Sequence, residues 1–242
     1  MRREILVIIP VLNEVSNIIP IINKIENNLV NKHHILFIDD NSKDGTINKI
    51  KTMQKKYKNI FLIKRSHRLG IGSAHKKGIS WGYDKKYNTI ITMDCDGTHN
   101  PIYINKMLNI LNKKKFDLIS TNRFLKDNSL NDWSLWRKKL TTFRHILIKF
   151  LLNIKYDSSG AFRCYNSKKI KLQDILQAEN NSYSFFWESM FLLSKKNYKI
   201  FEIPIKLPGR LSGSSKMRSV DIISALIYLI KIYFKNIISL KN

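Results

Sequence analysis

The chain has 242 residues and 43% of them are hydrophobic, enough for one domain with a sizeable core, or one domain with an appendage. The formal net charge of +25 attracts phosphorylated substrates, anionic membrane surface or nucleic acid, but Lys and Asn are scattered through every segment, which discounts nucleic acid. The two cysteines, Cys95 and Cys164, form neither a CxxC pair nor a zinc spacing, which excludes a disulfide scaffold and a zinc module and leaves two reduced thiols.

The N-terminus Met1-Arg2-Arg3-Glu4 runs straight into Ile5–Ile9. Basic residues before an apolar run suit a secretory leader. Pro10 stops the run, however, Asn13-Glu14 follow, and no small-residue cleavage site appears, so the expectation is the first strand of a cytoplasmic protein. Short apolar runs and longer helical patterns then alternate. Strands are expected at Ile5–Ile9, Ile35–Ile38, Ile60–Lys64, Thr89–Met93 and Asp117–Thr121. Helices are expected at Val15–Asn28, Thr46–Tyr57, Gly72–Trp81 and Pro101–Asn112, the last capped by Asn100. Continuous apolar strands separated by helices predict an α/β fold with a mostly parallel sheet covered on both faces. Ligands bind such sheets at the carboxyl ends of the strands. Three polar clusters fall there: Asn13-Glu14, Asp39-Asp40-Asn41-Ser42 and Asp94–Thr98.

The last cluster carries the strongest chemistry. In a strand, Asp94 and Asp96 would share one face and Cys95 would point into the core. Two hard oxygen ligands at an exposed strand end suit Mg²⁺ or Mn²⁺ holding a diphosphate. An isolated Asp-x-Asp before Gly is more often a solvated turn, and that alternative stands on these residues alone.

The second half reads as mostly helical. Trp133, Trp136, Leu140, Phe143, Leu147, Phe150 and Leu151 recur at helical spacing, with Arg137, Lys138, Arg144, His145 and Lys149 among them. This is a basic amphipathic helix, and by itself an ordinary core-facing one. Near the C-terminus, Asp221, Ser224, Tyr228, Lys231, Lys235 and Ser239 form one narrow polar stripe on an otherwise apolar helix. Lys231 and Lys235 argue against a membrane span; the pattern suits a helix in the bilayer interface or one packed on protein. A boundary is expected near residue 212, where a Gly/Ser cluster ends, giving a catalytic unit over 1–212 and, over 213–242, the end of a loop followed by the C-terminal amphipathic helix.

Taken in order, Pro10-Val11-Leu12-Asn13-Glu14, Ile38-Asp39-Asp40-Asn41-Ser42-Lys43-Asp44-Gly45-Thr46 and Asp94-Cys95-Asp96 resemble a family 2 glycosyltransferase. Leu69–Ala74, Asn122-Arg123-Phe124, Ser159–Arg163 and Gly213–Lys216 narrow the resemblance to polyprenol-phosphate sugar transferases, the dolichol-phosphate mannosyltransferase family in particular. Each motif alone is weak; the order is specific, and it covers residues 4 to about 240.

The resemblance implies a GT-A fold, with a Rossmann-like sheet, and an inverting, metal-dependent hexosyl transfer, mannose first. The donor would be a nucleotide sugar, GDP-mannose ahead of a UDP-sugar. The acceptor would be polyprenyl or dolichyl phosphate at the cytoplasmic membrane face, with room for a separate membrane-anchoring partner and no nucleic acid. It further implies donor contacts from Pro10, Leu12, Asn13, Glu14, Ile38, Asp39, Asp40, Gly70, Asp94, Cys95 and Asp96. Asp94 and Asp96 would hold the metal, and Thr98, where relatives often carry Gln, would be a weaker third ligand. Leu12 replaces an aromatic common in the family, so stacking there is lost. Asp96, Arg123 and Arg137 would form the catalytic centre, and Arg123, Arg137, Arg210, Ser215 and Lys216 would receive the acceptor phosphate. Ser159–Arg163 would support the sugar floor, with Asp157 structural nearby and His99 a polar neighbour of the metal motif. Glu188 stands where relatives carry an acidic residue near the sugar. Two rivals remain at this level: a family 2 enzyme with a hydroxyl acceptor and Glu188 as its base, and a basic nucleic-acid- or anionic-lipid-binding protein without catalysis.

Overall fold

The structure is a computed structural model describing residues 3–113, 115–209, 216 and 219–241. The strands are β1 (Arg3–Val11), β2 (His33–Asp39), β3 (Ile60–Lys64), β4 (Tyr87–Thr92), β5 (Leu118–Asn122), β6 (Arg163–Asn166) and β7 (Ile200–Pro204). The helices are α1 (Ile18–Asn28), α2 (Thr46–Lys56), α3 (Ile71–Asp84), α4 (Tyr103–Lys113), α5 (Leu135–Leu152), α6 (Leu172–Leu176), α7 (Ser184–Lys195) and α8 (Ser219–Lys241).

The strands form one sheet in the order β3-β2-β1-β4-β6-β5-β7. β6 runs antiparallel to β4 and β5, and the other pairings are parallel. The central strands bury both faces. Ile5, Val7, Ile9, Ile35 and Phe37 enter a core with α1, α2 and α4. Leu6, Ile8, Leu36 and Ile38 enter a second core with α3, α5, α7 and α8. This alternation is the two-residue period of a pleated strand. Close packing of α3 depends on Gly78, where a Cβ would lie 2.5 Å from Ile8 Cγ2.

The five strands expected in the first half are present. β6 and β7 were not expected, so the second half is less helical than its sequence suggests. Two helix starts also differ. α1 begins at Ile18 rather than Val15 because the N–H groups of Asn13, Glu14 and Val15 donate to Ser42 Oγ, Thr46 Oγ1 and Asp44 Oδ2 at 2.9, 2.9 and 3.0 Å. α4 begins at Tyr103 rather than Pro101, after a turn in which Asn100 Oδ1 accepts from the Ile102 N–H.

α5 and α8 depart from the expected helix–core arrangement. α5 leaves Leu135, Trp136, Leu140, Phe143, Ile146 and Phe150 exposed, so it is not an ordinary core helix. In α8 two residues of the polar stripe reach the rest of the domain, Tyr228 donating to Glu188 Oε1 and the exposed Lys235 to Glu179 Oε1, while Ser224 and Lys231 stay exposed, as do Ile223, Ile227, Ile230, Phe234 and Ile238. Only Leu229 and Ile232 of α8 join the core among its described side chains. No helix among the described residues is long and apolar enough to cross a membrane. The boundary expected near 212 lies outside the described residues.

Candidate active site

The carboxyl ends of β1, β2, β4, β5 and β7 and the start of antiparallel β6 lie along one edge of the sheet. Two adjoining clefts open there. The smaller has a volume of about 120 Å³. Pro10, Leu12, Glu14, Asp40, Gly70, Asp94, Cys95 and Asp96 line it. The larger, of about 590 Å³, is lined by Arg123, Arg137, Arg144 and many apolar residues of α5 and α8. Ile71, Asp94, Asp96 and Tyr183 line both, so the two acids stand on the shared wall.

The loop after β1 and the loop before α2 are knitted together by the three N–H bonds that delay α1. Lys43 N–H closes the same junction on Asn13 Oδ1 at 2.8 Å. Asp40 is 5% exposed, and its oxygens already accept from Leu69 N–H, Gly70 N–H and Arg65 at 2.8, 3.0 and 2.6 Å. Its observed work is to fix the loop that opens α3, in which Gly70 has φ +93°. A Cβ on Gly70 would lie 2.4 Å from Asn181 O.

Several expected donor residues are placed differently. Ile38 is sealed in the second core beneath α3 and does not line the cleft. Asp39 is wholly buried; its Oδ2 accepts from Asn41 and Ser42 N–H, and its Oδ1 has no partner among the described residues. Asn13 is exposed at the rim and lies outside the lining.

The acidic motif is a loop rather than strand, since β4 ends at Thr92. Both acids nevertheless reach the shared wall. Asp94 is about one-third exposed at its side chain, and its N–H donates to His99 Nδ1 at 2.9 Å, which places the imidazole proton on Nε2. Asp96 Oδ1 accepts from Thr98 N–H and Oγ1 at 3.1 and 2.6 Å, so Thr98 is turned onto Asp96 and orients it. Cys95 is buried as expected, and burial, Glu14, Asp96 and Asp94 together push its thiol well above the usual range. Burial is the main cause of that shift, and the three carboxylates add to it. The described residues contain no cage of three or more acidic, His or Cys ligands. Two carboxylates beside an open cleft fit Mg²⁺ or Mn²⁺ whose remaining ligands come from a diphosphate and water.

On the far side, Arg123 leaves β5 and its Nε donates to Asp157 Oδ2 at 2.7 Å. Both side chains are buried. Burial pushes Asp157 up, but Arg123 outweighs it and the carboxyl lies below its usual range. Gly160 leaves room for this guanidinium, since a Cβ there would lie 3.2 Å from Arg123 Nη2. Arg137 is exposed and lies flat on Trp133, its Cζ 3.6 Å from the ring centroid. Ser159, Gly160 and Ala161 line the larger cleft, whereas Phe162 and Arg163 are buried behind it. Arg163 donates to Ser158 O, Phe186 O and Ser189 Oγ, a structural stitch.

Glu188 lines neither cleft. It is buried and accepts from Glu179 N–H, Asn180 N–H and Tyr228, which ties α7 to α8. Lys216 lines the smaller cleft rather than the arginine-lined one, donating to Asn13 O at 3.3 Å. Arg210 and Ser215 lie outside the described residues. The sequence reading missed Arg68, Ser182 and Tyr183 in the lining and treated Arg144 as filler. The last had a signal: Arg137, Thr141 and Arg144 follow at i, i+4 and i+7 on α5.

An acid-lined cleft at the carboxyl edge of such a sheet, opening into a cationic and apolar one, defines a GT-A nucleotide-sugar enzyme. The chain belongs to glycosyl transferase family 2, whose model matches residues 6–197. It is 25% identical over 214 residues to the undecaprenyl-phosphate mannosyltransferase of Micrococcus luteus, covering 88% of this chain and 87% of that protein. It is 26% identical over 223 residues to the polyprenol monophosphomannose synthase of Mycolicibacterium smegmatis, covering 91% and 83%. Among solved structures, glucosyl-3-phosphoglycerate synthase from Mycobacterium tuberculosis, in complex with Mn²⁺ and UDP-glucose, superposes with a TM-score of 0.63. That match has 15% identity and covers 94% of this chain and 79% of the other. At such identity the likeness bears on the fold alone.

Proposed function

We propose that this glycosyltransferase moves a hexose, mannose first, from a nucleotide sugar to the phosphate of a polyprenyl lipid, using a divalent cation at a membrane surface. The observation that carries the reading is the pair of clefts of opposite charge meeting at Asp94 and Asp96. The larger cleft offers Arg123, Arg137 and Arg144, and among the described residues its only lining carboxylates are that same pair. A phosphate acceptor is already an anion at neutral pH and needs no general base. It needs cations that hold it in line with the anomeric carbon, which is catalysis by positioning and electrostatics.

In this reading Asp94 and Asp96 hold Mg²⁺ or Mn²⁺, which supplies charge neutralisation for the leaving nucleoside diphosphate. The nucleotide lies in the smaller cleft under Pro10, Leu12 and Glu14. The Gly70 loop, fixed by Asp40, brings backbone close to the donor. Arg123, braced by Asp157, and Arg137, braced by Trp133, receive the acceptor phosphate. A single in-line displacement then gives the opposite anomeric configuration to the donor's. The outward apolar faces of α5 and α8 flank the larger cleft and suit the interface of a bilayer, so the lipid acceptor would enter without leaving it.

The hydroxyl-acceptor alternative needs a carboxylate base, and its one candidate, Glu188, is buried under α8. Incubation with a panel of nucleotide sugars, short polyprenyl phosphate and Mn²⁺, followed by mass spectrometry of the lipid extract, tests the reading. The expected product is one hexosyl-phosphoprenol from one donor. Transfer to sugar hydroxyls with none to the prenyl phosphate would overturn it.

A further inference from the structure

The acceptor cleft holds more positive charge than a pair of arginines supplies. Arg144 lines it on the same face of α5 as Arg137 and the buried Thr141. Its Nε is sealed from solvent and has no hydrogen-bond partner among the described residues. The carboxylate that faces it is Asp157, whose Oδ2 is already taken by Arg123 and whose Oδ1 accepts from Ser159. Asp94 and Asp96, across the shared wall, are the acids assigned to the divalent cation. His145, stacked on Phe124 with ring centroids 4.0 Å apart, is held below the usual imidazole range by burial and adds no charge at neutral pH.

A half-buried guanidinium with no counter-ion of its own is costly to keep. Burial, with Arg123 adding repulsion, pushes Arg144 down to about 10, so it stays charged at neutral pH. Among the described residues, Arg144 therefore brings to the cleft a positive charge with no carboxylate bonded to it, beside Arg123 and Arg137. A phosphate monoester carries about −1.5 to −2 at pH 7, whereas a sulfate monoester of nearly the same shape carries a single charge.

We infer that Arg144 is a third cation of the acceptor site and makes that site selective for a doubly charged phosphate ester over a singly charged ester of the same shape. The inference rests on the acceptor reading given above and adds the residue that sets charge preference. Arg123 and Arg137 position the headgroup; Arg144 completes its neutralisation.

The test titrates citronellyl phosphate, citronellyl sulfate and inorganic phosphate into the purified full chain, read by calorimetry. Wild type should prefer the phosphate ester by roughly tenfold or more, the scale of one charge-assisted contact. Arg144→Gln should lose about that factor for the phosphate ester, less than about threefold for the sulfate ester, and nothing for GDP or UDP with Mn²⁺. Its melting temperature should equal or exceed that of wild type, because an uncompensated buried charge has gone. Equal losses for the two esters, or no loss for the phosphate, would overturn the inference. Should Arg144→Gln fold poorly, Arg144→Lys decides: it should keep the preference for the phosphate ester, and an abolished preference would count against a role through charge. Inorganic phosphate should bind more weakly than the lipid ester and show the same Arg144 dependence. Equal affinity for the two would overturn the assignment of these arginines to a lipid headgroup. A wild-type protein that binds neither ester would instead overturn the acceptor reading itself.

Discussion

The two clefts differ in how they are built. The smaller is made of strand ends and tight loops whose parts are mostly close in sequence or tied by backbone hydrogen bonds, as Asn13, Glu14 and Val15 are to the 42–46 loop. The larger is made of side chains brought from far apart: Arg123 from β5, Asp157 from the loop before β6, and Arg137 and Arg144 from α5. The first is acidic and suits a cation with its diphosphate; the second is basic and apolar and suits an anion with a tail. In the proposed reaction the two anions are then held in different ways, the acceptor phosphate directly by guanidiniums and the donor diphosphate through a cation on the acids.

The sharpest way to break the comparison is on the shared wall. Asp96→Ala should lower transfer by roughly a thousandfold or more, the several kcal/mol a cation at a leaving group supplies. The protein should stay folded, since Asp96 stands on a cleft wall and its bonds to Thr98 are local. Steady-state assay at saturating Mn²⁺, with circular dichroism alongside, measures both; near-wild-type turnover would sink the metal assignment.

Next in size is the difference between the two paired arginines. Arg123→Ala should cut kcat/KM for the lipid about a hundredfold and also destabilise the fold by about 3 kcal/mol, because the buried Asp157 loses the guanidinium bonded to it. Arg137→Ala should cost about tenfold in acceptor use with little change in melting temperature, since Arg137 is exposed and held by Trp133. Denaturant titration of the two variants separates them. Equal stability of both would mean that the Arg123–Asp157 pair braces nothing.

The same contrast explains what could be read in advance. The donor edge was legible because parallel strands are continuous apolar runs and their polar ends carry the motif. Asp94 and Asp96 were placed correctly at the cleft even though strand alternation was the wrong reason: β4 stops at Thr92 and a loop with Gly97 at φ +83° carries both acids. Ile38 and Asp39 were carried along by motif adjacency, and pleating sends one into the core while an Asx-type turn consumes the other. The acceptor edge was less legible. β6 is four residues long and antiparallel, a pairing that no local period announces. Glu188 was misplaced because its partners, Glu179, Asn180 and Tyr228, come from a turn and a helix whose docking only the fold shows.

The apolar faces offer a milder test. Phe150 and Trp136 on α5 are each 82% exposed, and Phe234 on α8 is 57% exposed. Changing any one of them to Asp should weaken binding to phospholipid vesicles by roughly tenfold, the worth of one large apolar side chain withdrawn from the interface. Transfer to a short, water-soluble prenyl phosphate should be unchanged. Vesicle flotation measures the first and a lipid-free assay the second. If α5 variants lose vesicle binding and α8 variants keep it, α5 alone carries the interface.

The smallest expected effect on transfer lies behind the basic cleft. Glu202 on β7 accepts from Asp157 N–H at 2.7 Å and from Asn122 Nδ2 at 2.9 Å, so it supports the loop that braces Arg123. Burial raises its carboxyl from 4.5 to about 7, with Asp157 adding to the rise and the two hydrogen bonds opposing it. Between those values the unfolded chain has released this proton while the folded chain keeps it. The folded state therefore binds more protons there, and this group's contribution to stability falls as pH rises through the window. Asp157 acts in the opposite sense and in another range: its depressed carboxyl stabilises above 3.8 and that contribution is lost in more acid solution. Glu202→Gln removes the first slope and keeps the second. The variant has a fixed cost of its own, because its amide nitrogen faces the Asn122 amide, and Asn122 cannot turn over while its Oδ1 accepts from Phe124 N–H at 2.7 Å. That cost does not vary with pH, so the difference between the two proteins isolates the titration. Melting temperatures taken from pH 4.5 to 8 should shift in favour of Glu202→Gln by the equivalent of about 3 kcal/mol across the range. Parallel curves would mean that Glu202 is ionised throughout, and that the brace behind Arg123 carries one more negative charge than the geometry assigns to it.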